Sequence, residues 1–368
     1  MKSVSIAILS AAALLCTWAG PADALPVKMD VIWGGSQGTV VFIHGKANCS
    51  NSGGDKYDSR CGNDPKGYWL NSTDDGGDGH DFMDEATARV QSDGSWTFWE
   101  AISIRYDGEN QGYWYAANDV ANCLTDLRGG TNNSGCNPNK ITRTSFRVLG
   151  HSAGGTLLDR MFSTGWWSQL TDASTGAIIG YPVSNAGALA GSKASSALYG
   201  VDGASNFCTT LVSWAIGWAV KNNGSASLTR GAVIGEAKNG KAGKSPRWFN
   251  KITTTGGSGS CNNNYYNGVK ESVNDGKMGT LCGCVGYSSD DDTDGVLWQY
   301  DSDPTSSPST SNGGKYRAEY TGKYYHWVKS WANHSHNRND AYVTKYGYQT
   351  SSGCYKISPG TCVGQYAW

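Results

Sequence analysis

The sequence predicts an α/β fold in which a mostly parallel central sheet is covered by helices on both faces. Three observations predict it. Strand-like and helix-like runs alternate along much of the chain. One junction, within residues 145–162, reads as strand, tight glycine turn and helix without interruption. The 368 residues are also enough for one large domain with a full core. Long loops should decorate the scaffold, because the chain holds 50 glycines and is rich in Ser, Thr and Asn.

The first element in order is a segment to be removed. Met1-Lys2, the short apolar stretch 6–15 and the small-x-small site Ala22-Asp23-Ala24 read as a signal peptide over residues 1–24. Leu25 would then begin the mature chain, a single domain over residues 25–368 that is secreted, extracellular or periplasmic. Leu15 is too bulky before Cys16 for a lipoprotein signal. No later run reaches the roughly 20 apolar residues that a transmembrane segment needs; residues 211–220 come nearest. Setting Cys16 aside leaves ten cysteines, and an even count on an exported chain argues for disulfides. Cys49/Cys61, Cys123/Cys136 and Cys354/Cys362 are near enough in sequence to staple loops, although connectivity is not readable from spacing. Charged residues make up only 17%, with 30 basic against 31 acidic, so no nucleic-acid partner is expected.

The elements of the fold follow. Val31-Ile32-Trp33 and 39–43 read as strands, joined by a hairpin turn at Gly34-Gly35-Ser36-Gln37-Gly38. A Gly/Asn/Asp-rich loop over 46–79 precedes a helical stretch at 81–90. Residues 101–105 read as a strand, 118–127 as a helix, and Ala177-Ile-Ile-Gly-Tyr181 as the strand after the glycine turn. Residues 278–287 are strand-like and lead into an acidic loop at 288–298. Residues 301–314 form a Ser/Thr/Pro/Gly-rich surface loop rather than a domain boundary.

The glycine turn carries the chemistry. Phe146, Val148 and Leu149 make a short buried strand, Gly150-His151-Ser152-Ala153-Gly154 follows at once, and 156–162 has helical composition. That context is what a nucleophile elbow requires: glycines let the backbone bend sharply, and the serine stands above a helix N-terminus that favours developing negative charge. Ser152 is therefore the candidate nucleophile. Gly34-Gly35-Ser36-Gln37-Gly38 matches the same five-residue pattern, but a β-branched run follows it instead of a helix, so Ser36 is not a candidate. A serine nucleophile needs a base and an acid that orients the base. Only His326, His334 and His336 lie well downstream of Ser152.

Several segments resemble the secreted bacterial lipases and esterases of the α/β-hydrolase superfamily. Thr293-Asp294-Gly295-Val296-Leu297 is similar to the segment that holds their acid, and Trp331-Ala-Asn-His334 to the one carrying their histidine. Phe42-Ile-His-Gly45 resembles the strand and turn before their oxyanion hole, and 184–192 the segment after the next strand. The likeness covers the sheet-forming half of the chain. It implies the α/β-hydrolase fold, with Ser152 as nucleophile, His334 as base, Asp294 as orienting acid, and the backbone N–H groups of Lys46 and Ala153 as the oxyanion hole. His44 in that turn would support the oxyanion loop. His336, two residues after His334, competes for the base role.

The resemblance further implies a secreted serine hydrolase cleaving carboxylic esters, with lipid-like or polymeric substrates and a lipid interface or insoluble polymer as partner. A serine amidase or peptidase on the same triad, or a non-catalytic glycan- or polymer-binding protein, are the alternatives. No cofactor is expected. In these lipases an aspartate binding structural calcium closely follows the histidine, and here His336 takes its place. Asp74-Asp-Gly-Gly-Asp78 has Gly76 at its third position, which offers no side-chain oxygen, so a solvated turn is expected there. Residues 193–260 leave room for a lid or insert, in which Trp214 and Trp218 would share one apolar helix face; a core helix over residues 211–220 is the simpler reading.

Overall fold

The computed structural model describes residues 27–33, 38–46, 100–163, 170, 183–185, 187–189, 191–199, 223–229, 232–233, 248–254, 324–330, 356–358 and 361–362. Within them a seven-stranded sheet runs β1 (Lys28–Trp33), β3 (Glu100–Arg105), β2 (Thr39–Ile43), β4 (Arg147–His151), β5 (Val183–Asn185), β6 (Trp248–Thr254) and β7 (Tyr324–Ser330). β1 is antiparallel to β3 and every other pairing is parallel. Six strands therefore end at one edge, and in parallel sheets that carboxyl edge is where ligands bind. The short strands β8 (Lys356–Ser358) and β9 (Thr361–Cys362) pair separately.

The hairpin expected between β1 and β2 is not formed. β2 is flanked by β3 and β4, and β1 pairs with β3 across the pairs Lys28↔Arg105 to Trp33↔Ala101. The reason lies in β2 itself, where all five residues Thr-Val-Val-Phe-Ile are buried. Residues alternate between faces along a strand, so burial of all five means that both faces are covered and the strand is central. β1 takes the edge and is blunted by charge. Arg105 Nε donates to Asp30 Oδ2 at 2.7 Å, and Val31 is 42% exposed.

Two helices cover one face. α1 (Tyr113–Gly129) buries Tyr113, Ala116, Ala117, Val120, Ala121, Leu124 and Leu127, an apolar stripe of helical period. α2 (Ala153–Ser163) contributes Leu157, Leu158 and Met161 to the same cluster, together with Val41, Ile43, Ile102, Ile104 and Val148 of the sheet. Val40, Phe42, Ala101 and Leu149, one residue out of phase, are also buried and belong to the opposite face. Two short helices, α3 (Lys193–Leu198) and α4 (Asn223–Ser227), follow β5. β6 (Trp248–Thr254) falls inside the span 193–260 that leaves room for an insert, so these seven residues of it belong to the sheet. No described helix is long and apolar enough to cross a membrane. The segments 1–24, 81–90, 177–181, 211–220, 278–287 and 301–314 lie outside the described residues, as do Cys49, Cys61 and Cys354.

The loop from α1 to β4 sets where the elbow begins. α1 ends on Gly130 in the left-handed conformation (φ 63°). Cys123 and Cys136 are joined by a disulfide, and Met29 N donates to Cys136 O at 3.0 Å, which ties this loop to β1. At its centre the buried carboxylate of Asp126 accepts from Asn133 N (3.0 Å), Ser134 N (2.7 Å), Ser134 Oγ (2.6 Å) and the Thr131 hydroxyl. Burial alone would raise the pKa of Asp126, but these donors together outweigh it and hold the carboxyl below its ordinary 3.8.

A depressed folded-state value stabilises the fold above the unfolded value and is lost as pH falls through the folded one. Asp126→Asn is therefore expected to lower unfolding stability at pH 7 by about 2 kcal/mol, typical for hydrogen bonds to a charged group. The gap from wild type should close below about pH 4 as the wild-type carboxyl protonates. Urea unfolding at pH 7 and pH 3 checks both halves, and a gap independent of pH overturns the assignment.

Candidate functional site

The elbow is built by sterics. Ser152, half-buried, sits between β4 and α2 with φ 55°, a left-handed backbone that a residue with a Cβ adopts only when its surroundings impose it. The neighbouring glycines show what imposes it. A Cβ on Gly150 would lie 2.4 Å from Gly154 O, so strand end and first helical turn touch. A Cβ on Gly154 would lie 2.3 Å from Ile43 O and 2.5 Å from His44 O. One on Gly155 would lie 2.3 Å from Ser184 Oγ on β5 and 2.9 Å from Gly187 Cα. The helix is thus pressed against β2 on one side and β5 on the other, and the serine is left at the carboxyl edge. Gly155 N donates to Ser152 O at 2.9 Å, opening the helix directly beneath it.

β2 and β4 are parallel neighbours whose last pair is Ile43↔Gly150. His44-Gly45-Lys46 and His151-Ser152-Ala153 therefore leave the sheet side by side. Ala153 is the first residue of α2, one of the N-terminal positions whose N–H groups have no partner within the helix. Lys46 is buried in the turn after β2. His44 is buried with Nδ1 at 2.7 Å from Gly45 O, and its Nε2 accepts from Tyr106 N–H at 3.0 Å. Because Nε2 accepts, the proton lies on Nδ1 and is donated to the Gly45 carbonyl. The imidazole is thus a neutral brace of the turn.

Apolar residues border the elbow. Tyr113, Ala188, Leu228 and Val233 cluster with Ala153, and Trp114 packs against them. Tyr113 N donates to Ser227 Oγ at 3.1 Å, and that hydroxyl donates to Gly224 O at 2.8 Å, fixing α4 to the start of α1. These side chains form an apolar wall around Ala153, the residue that follows Ser152.

Of the residues expected to act together, the structure brings Ser152, Ala153 and Lys46 to one edge. Asp294, His334 and His336 lie outside the described residues, as do Trp214, Trp218, Asp74 and Asp78. His326 is within β7, in register with Asn250 of β6, rather than in a loop. Tyr106 and the wall residues Tyr113, Leu228 and Val233 were not expected from sequence. Tyr106 directly follows a buried strand at the carboxyl edge, which is the signal that could have found it.

No family model matches the chain, and no curated protein matches it. Among solved structures, the mature form of the lipase BlEst2 of Bacillus licheniformis is similar at 11% identity. That likeness covers 85% of this chain and 92% of that one, with a TM-score of 0.46. A hydrolase from Pseudomonas aeruginosa PA01 is similar at 12% identity over 84% of this chain and 87% of that one, TM-score 0.34. The esterase EaEST of Exiguobacterium antarcticum is similar at 12% identity over 62% and 76%, TM-score 0.29. These are likenesses at low identity with TM-scores below 0.5, and the activity each name states is that protein's own.

Proposed function

We propose that the chain is a secreted serine hydrolase that cleaves carboxylic esters through an acyl-enzyme on Ser152. The observation that carries this reading is the left-handed backbone of Ser152 between a central parallel strand and a helix N-terminus. Strain at a non-glycine residue persists only where the surroundings over-determine it, and here three glycine contacts do so.

In this reading Ser152 Oγ attacks the ester carbonyl while its proton passes to His334, oriented by Asp294. The negative oxygen of the tetrahedral intermediate is met by the N–H groups of Lys46 and Ala153. The alcohol departs with the proton from the histidine, and water activated by the same histidine releases the acid. Topology supports the histidine. β7 lies three strands from β4, about 14 Å away, and ends at Ser330 on the same edge. His334 follows four residues later, and an extended chain of that length reaches about 13 Å before its side chain is counted. Asp294 belongs to the connection 255–323, which leaves β6 at that edge. The apolar wall beside Ala153 suits a lipid-like or polyester acyl group.

A fluorophosphonate probe is expected to label the mature protein stoichiometrically at Ser152 and to leave Ser152→Ala unlabelled. Labelling that persists in Ser152→Ala would remove this serine from the mechanism.

A further inference from the structure

We infer that Tyr106 is a positioning residue for the oxyanion hole, holding the peptide plane that presents the Lys46 N–H. This rests on the serine-hydrolase reading above and adds to it a group outside the triad and outside the oxyanion donors. Tyr106 is fully buried and follows the last residue of β3. Its phenol ring stacks on the imidazole of His44, with centroids 4.3 Å apart and planes 13° from parallel. Its hydroxyl proton is shared between two carbonyls of the turn, His44 O at 2.9 Å and Gly45 O at 3.3 Å. Its own N–H donates to His44 Nε2 at 3.0 Å.

Those contacts converge on one peptide unit. The Gly45 carbonyl accepts from both Tyr106 Oη and His44 Nδ1. The Gly45–Lys46 peptide is planar and trans, with no cis bond among the described residues. In a trans unit C=O and N–H point in opposite directions, so fixing the carbonyl also fixes the Lys46 N–H, aimed away from Tyr106 and the imidazole. A glycine on the N-terminal side of that unit would otherwise leave its plane free to rotate. The tyrosine also explains the imidazole's single tautomer, because its N–H reserves Nε2 as an acceptor. One residue thus braces the turn directly through its hydroxyl and indirectly through His44. An oxyanion donor works only if it is aimed before the charge develops, and a shift of about 1 Å in such a group can cost about a hundredfold in rate.

The test is Tyr106→Phe, which keeps the stacked ring and the backbone N–H but removes both hydroxyl contacts. For a p-nitrophenyl ester, kcat is expected to fall tenfold to a hundredfold while KM stays within about twofold. A trifluoromethyl ketone, whose adduct on Ser152 carries the same oxyanion, should lose affinity by the same factor as kcat. A purely structural role would not produce that proportion. p-Aminophenylalanine at position 106, which restores a donor to the ring, should recover most of the lost kcat. If Tyr106→Phe does not fold, this amine variant decides the matter alone. Near-wild-type kcat there supports the inference, and a loss of tenfold or more in the folded protein overturns it. Unchanged kcat and ketone affinity in Tyr106→Phe also overturn it, as does a loss confined to KM. Those outcomes leave the serine-hydrolase reading standing. A wild-type protein that fluorophosphonate does not label sinks that reading, and this one with it.

Discussion

Ser152→Ala is expected to lower kcat for an activated ester by about 10⁵–10⁶-fold, His334→Ala to cost nearly as much, and the double variant to lose no more than the worse single one. The magnitude follows from what each group does in the proposed mechanism. Without the hydroxyl there is no covalent intermediate, and without the imidazole the hydroxyl stays protonated and attacks poorly. Neither group retains its function alone, so their losses do not add. What remains is the catalysis that two aimed N–H groups and substrate binding supply to a bound water, about 10³–10⁴ over solution. Asp294→Ala should be milder, about 10⁴-fold, because a histidine without its orienting carboxylate still takes protons in some fraction of its orientations. His336→Ala is the control and should change kcat less than tenfold. Steady-state kinetics on the five proteins decide between the histidines, and an active His334→Ala beside an inactive His336→Ala moves the base to His336. Additive losses in the double variant would mean that the two side chains do not act as one unit.

The parts of this site that sequence makes legible are those whose chemistry is local. Gly150-His151-Ser152-Ala153-Gly154 between an apolar run and a helix-forming run declares an elbow, because bend, strand and helix lie within about twenty residues. The helix expected at 118–127 is longer at both ends, Tyr113–Gly129, since Gly130 rather than the apolar pattern sets its stop. Local chemistry also misleads. Gly34-Gly35-Ser36-Gln37-Gly38 has hairpin residues, yet β1 pairs with β3, about seventy residues away. The corrective signal was present in the unbroken apolar run of β2, which needs parallel neighbours on both sides. β6 and β7 were hidden for the opposite reason. Trp248-Phe-Asn-Lys-Ile-Thr-Thr254 and Tyr324-Tyr-His-Trp-Val-Lys-Ser330 are strand-forming by residue type but mix polar with apolar residues and sit among glycine- and serine-rich sequence. Only their seven-pair parallel register identifies them. For Tyr106 only its place after the strand at 101–105 was legible; its partners are about sixty residues upstream and two of them are backbone carbonyls, which leave no mark in sequence.

Gly154→Ala should be far more damaging than one methyl group suggests, and it separates the geometry of the elbow from its chemistry. The added Cβ would stand 2.3 Å from Ile43 O and 2.5 Å from His44 O, both backbone atoms at the end of a buried central strand. No side chain can swing aside, so α2 and the β2 end must separate by about 1 Å to restore ordinary contact, at an overpacking cost of about 1–3 kcal/mol. The two pieces forced apart carry the two expected oxyanion donors, Ala153 on α2 and Lys46 after β2. A displacement of about 1 Å between such groups is worth about a hundredfold in rate. The expected result is thus a folded, less stable protein with kcat down about a hundredfold, KM little changed, and Ser152 still labelled by fluorophosphonate, only more slowly. Gly129→Ala is the matched control. A Cβ there meets nothing nearer than the Thr131 side chain at 3.6 Å, near the end of α1, so alanine should be neutral or stabilise by up to about 1 kcal/mol. Gly154→Ala with wild-type kcat would show that the approach of α2 to β2 does not set the oxyanion geometry.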